Sequence, residues 1–419
     1  MMQARGQPAG SAGAVAPLDG AARLQALDVV RGFALAGIFL MNIEWFTRPM
    51  QQMGQGIAAS ATGLDHAAAW AVHTFVAGKF WVLFSLLFGM GFAVMASRAG
   101  PGPDFRVRYV RRCLALLAFG LLHALLLWPG DILHTYAIAG LLLLALGGLD
   151  GLTGGAMGVA LYGLPAMLVV AMGGLMSLAG GNIPDAAPMA AAAEAQALAA
   201  AQAYAHGGYP DAVAQRARDF AGIVLQGDAM VVPMALGVFL LGAAMVRAGR
   251  LRDPAAQRGW YLRLALWTLP AGALLVALSL RVGSSFDGLR EMGPLMLSQG
   301  LMMLGSLPLA LGYFALVLLG LGVPGLSRAL GWLAPAGRMA LTLYLLQSLL
   351  AALLFHGYGL GLWGQVGRAG QVLLALAVFA LQVVLAHGWM ARYRFGPMEW
   401  LWRWITYGAR PPMRLAGPR

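Results

Sequence analysis

The sequence predicts an all-α fold: a polytopic transmembrane helical bundle of about ten spanning helices, with both termini in the cytoplasm. Three observations lead there. Of 419 residues, 60% are hydrophobic and 11% charged, and mean hydropathy is +0.73, outside the range of an ordinary soluble domain. The apolar residues come in unbroken runs near the roughly 20 residues that cross a bilayer, too long for barrel strands alternating over about 10 residues. The arginines, finally, crowd into alternate segments between the runs.

Residues 1–22 are rich in Gly, Ala and Pro and read as a disordered tail. They are not expected to be a cleavable signal peptide, because the apolar run that follows is long and carries Asp28 and Arg31. Ten runs qualify as spans: 27–46, 80–97, 112–128, 132–148, 153–180, 229–247, 261–280, 294–320, 332–355 and 371–391. The stretch 66–79, HAAAWAVHTFVAGK, is apolar but short. It forms either an interfacial or re-entrant helix or an extension of the second span. The longest connection, 181–227, has an Ala-rich helical middle from Ala190 to Tyr204 and reads as an outer cap or lid. The expected organisation is therefore an N-terminal membrane half at 23–180, the cap, a C-terminal membrane domain at 228–407 and a basic tail at 408–419.

With the N-terminus inside, inner segments hold Arg5, Arg23, Arg98, Arg106, Arg108, Arg111, Arg112, Arg247, Arg250, Arg252, Arg258, Arg263, Arg328 and the six arginines from Arg392 to Arg419. Outer segments hold only Arg48, Lys79, Arg216, Arg218, Arg281, Arg290 and Arg368. This asymmetry sets the orientation. The net charge of +12 is thus a topology signal, and no basic patch interleaved with aromatics points to nucleic acid. Cys113 is the only cysteine, which excludes an intramolecular disulfide and a Cys-based metal site.

Polar residues inside spans mark the candidate sites, since ionisable groups kept there usually line a protein interior or a pathway. The first span holds Asp28, Arg31 and Asn42. Asp28 and Arg31 are one turn apart and can pair. Asn42 returns to the face of Arg31 about 16 Å further along. Lys79, the only lysine among 28 basic residues, opens the second span as a compact, deprotonatable amine. In GLLHALLLWPGDILHTYAIAG, His123 ends one span, Asp131 is placed to cap the next, and His134 follows. Topology puts Asn42, Lys79, His123, Asp131 and His134 at one depth, an outer-half polar site. There a histidine is the natural general base and Asp131 its orienting carboxylate. His66 and His73 are secondary candidates. On the inner side, Asp28 and Arg31 are joined by Arg111, Arg112 and Arg338, a cluster able to hold a phosphate. The tail RFGPMEWLWRWITYG reads as an interfacial helix starting at Pro397, with Glu399 and Arg403 one turn apart. Each feature has a structural alternative: helix packing for Asn42, snorkelling for Lys79 and plain positive-inside charge for the arginines.

There is no GxxxxGK[ST] loop, no GxSxG elbow and no HExxH spacing. LDVVRGFALAGIFLMNI, GKFWVLFSLLFG, the run from His123 to Tyr136, GRMALTLYLLQS and GPMEWLWR together resemble the YeiB-like bacterial inner-membrane proteins, over about Leu27 to Tyr407. The last two motifs belong to that family's domain of unknown function 418. Leu343 stands where that family often has Asn. The N-terminal half is distantly similar to the transmembrane acyltransferase superfamily, which includes heparan-α-glucosaminide N-acetyltransferase and the acyltransferase-3 proteins and shares the Asp-x-x-Arg-Gly first helix. Those groups carry a catalytic His at or shortly after the position of Asn42, whereas Glu44 to Leu64 has none. The resemblance implies an inner-membrane acyltransferase. Arg31, Arg111, Arg112, Arg338 and Asp28 would take an acyl-CoA donor as substrate. Asn42, Lys79, His123, Asp131 and His73 would serve an acceptor on an envelope glycan or lipid, with membrane lipids as surroundings. A transporter of a small or lipid-linked molecule, and a non-catalytic envelope protein, are the competing expectations.

Overall fold

The computed structural model describes residues 20–99, 102–180, 186–253 and 255–415. Helix α1 (Gly20–Asn42) leads through a 3-10 turn at Ile43–Phe46 to α2 (Gly63–Phe75) and α3 (Lys79–Ala99). α4 (Pro103–Leu126) and α5 (Leu133–Leu146) form a hairpin, followed by α6 (Gly151–Leu178). α7 (Ala186–Ala205) and α8 (Tyr209–Asp219) fill the long connection before α9 (Leu225–Arg247), α10 (Arg258–Val282) and α11 (Met292–Leu321). α12 (Pro324–Gly331), α13 (Ala334–Arg338), α14 (Ala340–Phe355), α15 (Arg368–Met390) and α16 (Pro397–Tyr407) complete the chain. Among the described residues there is no β-strand beyond isolated bridges, so the molecule is an all-α bundle.

Eight helical segments are long and apolar enough to cross a membrane. The other two expected spans are shorter: α5 has 14 residues and α14 has 16. Each has its own cause. α5 starts after Asp131, whose Oδ2 accepts from the His134 backbone N–H at 2.9 Å, and stops at Gly147. The ninth run breaks at Met339 (φ −110°, ψ 23°), dividing it into α13 and α14. Irregular backbone at such a depth is tolerated where it is buried in protein or lines a cavity, and Gly337 and Arg338 do line one. Gly32 and Gly337 let α1 and α13 touch, because a Cβ on either would run into the other segment's carbonyls.

The expected segment 66–79 is a separate helix, α2, packed against α15. It parts from α3 at Val76–Gly78, where Gly78 takes φ +81°. The expected outer loop 181–227 is largely helical, and its end is not loop at all. α8 continues through a π-helical turn at Phe220–Val224 into α9, giving one helical segment from Tyr209 to Arg247. Of the expected disordered tail, residues 1–19 lie outside the described residues, and α1 takes in the last three.

α9 is the central helix, packed on α3, α5 and α6, with Val238, Phe239 and Leu240 fully buried. α6, α10 and α15 lie outside and expose Leu168, Leu175, Leu266, Trp267, Leu373 and Leu381. In water such faces would drive association. Lipid tails are as apolar as leucine and leave them at no cost, so the chain reads as a multi-pass membrane protein.

Candidate functional site

Two cavities lie along one face of α1. The first, of about 590 Å³, is lined by Asn42 and Glu44 from the end of α1 and its turn, by His73 of α2, by Asp131 and Thr135 around the start of α5, and by Asp228 of α9. The rest of its wall is apolar and rich in methionine, with Met41, Met230, Met234, Met302 and Met303 among the lining residues.

A buried histidine–carboxylate chain forms its floor. Asp131 holds two histidines at once. Its Oδ1 is 2.8 Å from Nδ1 of His123, and its Oδ2 is 3.2 Å from Nδ1 of His134. On the other ring nitrogen, His134 Nε2 lies 2.9 Å from Oδ2 of Asp228, whose Oδ1 accepts from the Thr135 hydroxyl at 2.9 Å. The hairpin α4–α5 brings His123 and Asp131 together, and the π-turn before α9 turns Asp228 toward them; its Phe220 packs edge-on to His134 at 4.9 Å. His123 and Asp131 are almost fully enclosed, while the Asp228 side chain is 14% exposed and forms the opening of the chain onto the cavity.

In a chain of this kind the partner of one nitrogen fixes the tautomer. With Nδ1 of His123 given to Asp131, Nε2 carries the lone pair, and that buried atom has no partner. His123 itself lines neither cavity. It stands in the wall, beside Trp128 of the first cavity (ring centroids 6.3 Å) and Tyr344 of the second (5.0 Å). His73 also has a buried Nε2 without a partner, and it lines the first cavity directly.

The second cavity, about 440 Å³, collects Asp28, Arg31, Arg112, Arg338, Arg394, Glu399 and Arg403: five guanidinium side chains against two carboxylates. Arg31 pairs with Asp28 at 2.6 Å and leaves the rest of its fork free of side-chain partners. Arg112 stacks on the Trp402 ring at 3.6 Å, and Trp402 Nε1 donates to the Arg112 carbonyl at 2.8 Å. Glu399 sits over the start of α14. It accepts from the N–H groups of Leu341 and Thr342 and from the Thr342 hydroxyl, at 2.7, 3.0 and 2.6 Å. Burial raises the Glu399 carboxyl, with the Thr342 hydroxyl opposing. Glu399, one turn from Arg403, thus ties α16 to α14.

Three expected residues lie elsewhere. Lys79 is fully buried beside the first cavity but lines neither; its Nζ donates to the His73 carbonyl at 3.3 Å and approaches Met302 Sδ at 3.0 Å. These two contacts hold its Nζ, and it makes none with the His123–Asp131 chain. Arg111 points outward, one residue off the face on which Arg112 lines the second cavity. His66 is exposed on α2. Conversely, Asp228 and Thr135 were not anticipated. Asp228 could have been found by the criterion that picked out Asp28, a lone carboxylate in an apolar run, but the span was started one residue after it. Thr135 is neutral and gives no such signal.

Above the first cavity the α7–α8 cap is fastened by buried polar contacts. Arg216 donates to the Leu126 carbonyl at 2.8 Å and to the Tyr358 hydroxyl at 2.6 Å, and lies 3.0 Å from His356 Nδ1. Gln51 donates to Asp219 at 2.9 Å, joining the cap to the segment that roofs the cavity.

Residues 245–409 match the family model described as a protein of unknown function, DUF418. Over 407 residues the chain is 32% identical to "Uncharacterized protein YxaH" of Bacillus subtilis (strain 168), covering 93% of this chain and 96% of that one. It is 30% identical over 401 residues to "Uncharacterized protein YeiB" of Escherichia coli (strain K12), covering 94% and 97%. A third relative, from Bacillus acidopullulyticus, is 27% identical over 417 residues. Likeness of this extent, end to end on both sides, means that this multi-pass helical chain belongs to the DUF418 family, with YxaH and YeiB among its relatives.

Proposed function

We propose that the protein is an inner-membrane acyltransferase, moving an acyl group from a cytoplasmic thioester of the acyl-CoA class to a hydroxyl or amine of an envelope glycan or lipid. One observation carries the reading: the two cavities meet at a single wall, with phosphate-type chemistry on one side and base chemistry on the other. Five guanidiniums suit a phosphorylated donor. The arginine asymmetry along the sequence supports a cytoplasmic position for that cavity. The wall between contains His123, with a free Nε2 and a carboxylate behind its Nδ1, the arrangement of an oriented general base.

The chemistry balances with these groups alone. In this reading Trp128 or Tyr344, which pack against the buried His123 ring, gives way to admit substrate, and Nε2 takes the proton from the acceptor hydroxyl or amine as its O or N attacks the thioester carbonyl. The new C–O or C–N bond forms, the C–S bond breaks, and the departing thiolate takes the proton back from the imidazolium. Asn42, on the cavity face of α1, is the neutral donor available to the carbonyl oxygen as it gains charge. The likeness of the first helix to transmembrane acyltransferases agrees with this assignment but rests on that motif alone.

A second reading is favoured by a different observation. The continuous chain His123–Asp131–His134–Asp228 is also what a proton-coupled transporter would hold beside a substrate cavity. Proteoliposomes carrying the wild-type protein, given labelled acetyl-CoA outside and an extract of envelope glycans and lipids, separate the two. Covalent labelling of an extract component, lost in His123→Ala, supports acyl transfer. Counterflow of an extract component without covalent change supports transport and contradicts the enzyme.

A further inference from the structure

The two cavities have two lining residues in common, Ile38 and Ile132. They come from different elements: Ile38 from the middle of α1, Ile132 from the residue before α5. On α1 the same face carries Arg31 and Leu35 into the second cavity and Asn42 into the first, with Ile38 between. On the other side Ile132 follows Asp131 directly, and its carbonyl accepts from the Tyr136 N–H at 2.9 Å, which fixes its position. Both side chains are β-branched and stiff at χ1, so the partition they form between the two cavities is stiff.

The geometry points to Ile38 and Ile132 as the gauge of acyl-chain length, a specificity determinant that rests on the acyl-transfer reading above. A thioester carbonyl brought to the wall beside His123 places its acyl tail against these two side chains. Short acyl groups fit between them; longer ones must displace packed, branched side chains. In apolar pockets one methylene of misfit is worth about 10–200-fold in transfer efficiency.

The test measures transfer from acetyl-, butyryl- and octanoyl-CoA to a membrane extract by wild type, Ile38→Ala, Ile132→Val and Ile38→Trp. The wild type should favour acetyl over octanoyl by about 10-fold or more. Ile38→Ala should raise octanoyl relative to acetyl by about 10-fold or more, and Ile132→Val should shift it in the same direction by less. Ile38→Trp should still bind acetyl-CoA but transfer nothing. Transfer that proceeds in Ile38→Ala and Ile132→Val with the wild-type chain-length profile overturns the gauge and leaves the enzyme intact. Absence of transfer from every donor in the wild type is a different result, which removes the acyl-transfer reading itself.

Discussion

Asp131 is the residue on which the site turns, because it alone touches both histidines. Asp131→Asn keeps the size but offers His123 the wrong hydrogen-bond pattern, so the free lone pair on Nε2 is no longer assured. Transfer should fall by about 10²–10⁴-fold, the usual worth of a positioned base, while acetyl-CoA binding in the other cavity is unchanged. Equal loss of both would mean collapse of the fold. His356 gives a pH-dependent prediction. Burial, and then the neighbouring Arg216, lower it to about 3, so it is neutral in the folded protein. The unfolded chain would take up that proton near 6.5. Stability is therefore complete above that value and declines as pH falls toward 3. Thermal melts between pH 7.5 and 5 should show a loss that His356→Gln reduces; an identical slope in both proteins would contradict this. Asp28–Arg31 and Asp131's capping of the helix after it were legible in the sequence because they depend only on local spacing. The contact of Asp228 with His134 was not, since it joins residues 94 positions apart.

Among the elements, the break between α13 and α14 and the clasp of α16 belong together. A helix that restarts inside the protein has unpaired N–H groups at its start, and Glu399 supplies their acceptor from another helix. Glu399→Ala leaves them buried without one, at a cost of about 1–3 kcal/mol. The expected result is a lower thermal midpoint together with weaker acetyl-CoA binding, because Trp402 and Arg403 on the same helix line the second cavity, the proposed donor site. Unchanged binding in that variant would separate α16 from the site. Gly337→Ala should destabilise too, by about 1–3 kcal/mol, through overpacking against α1. The long spans were readable from apolar length alone. The break at Met339 and the π-turn at Phe220–Val224 were not, because both are held by tertiary partners: Glu399 for one, and for the other His134 against Phe220 and the distant groups that bind Arg216 and Asp219 just before it.

For the whole molecule, the face of α1 connects the scales. It carries an ion pair at one end, an amide at the other and an aliphatic side chain between, and the two cavities follow that order. The sequence carried this in the 11-residue spacing of Arg31 and Asn42, and the hairpin from His123 to His134 supplied the second wall. What it could not carry is which arginines converge: Arg394 and Arg403 reach the cavity only through the fold of the C-terminal segment, while Arg111, adjacent to Arg112, does not.

The most direct measurement is equilibrium binding of acetyl-CoA to the purified wild-type protein beside Arg31→Ala. On the proposed reading Arg31 would give a bound donor charge-assisted hydrogen bonds worth about 1.5–3 kcal/mol, so the account predicts saturable binding that weakens about 10–150-fold in the variant. No binding at millimolar acetyl-CoA, or binding that Arg31→Ala leaves unchanged, would contradict it.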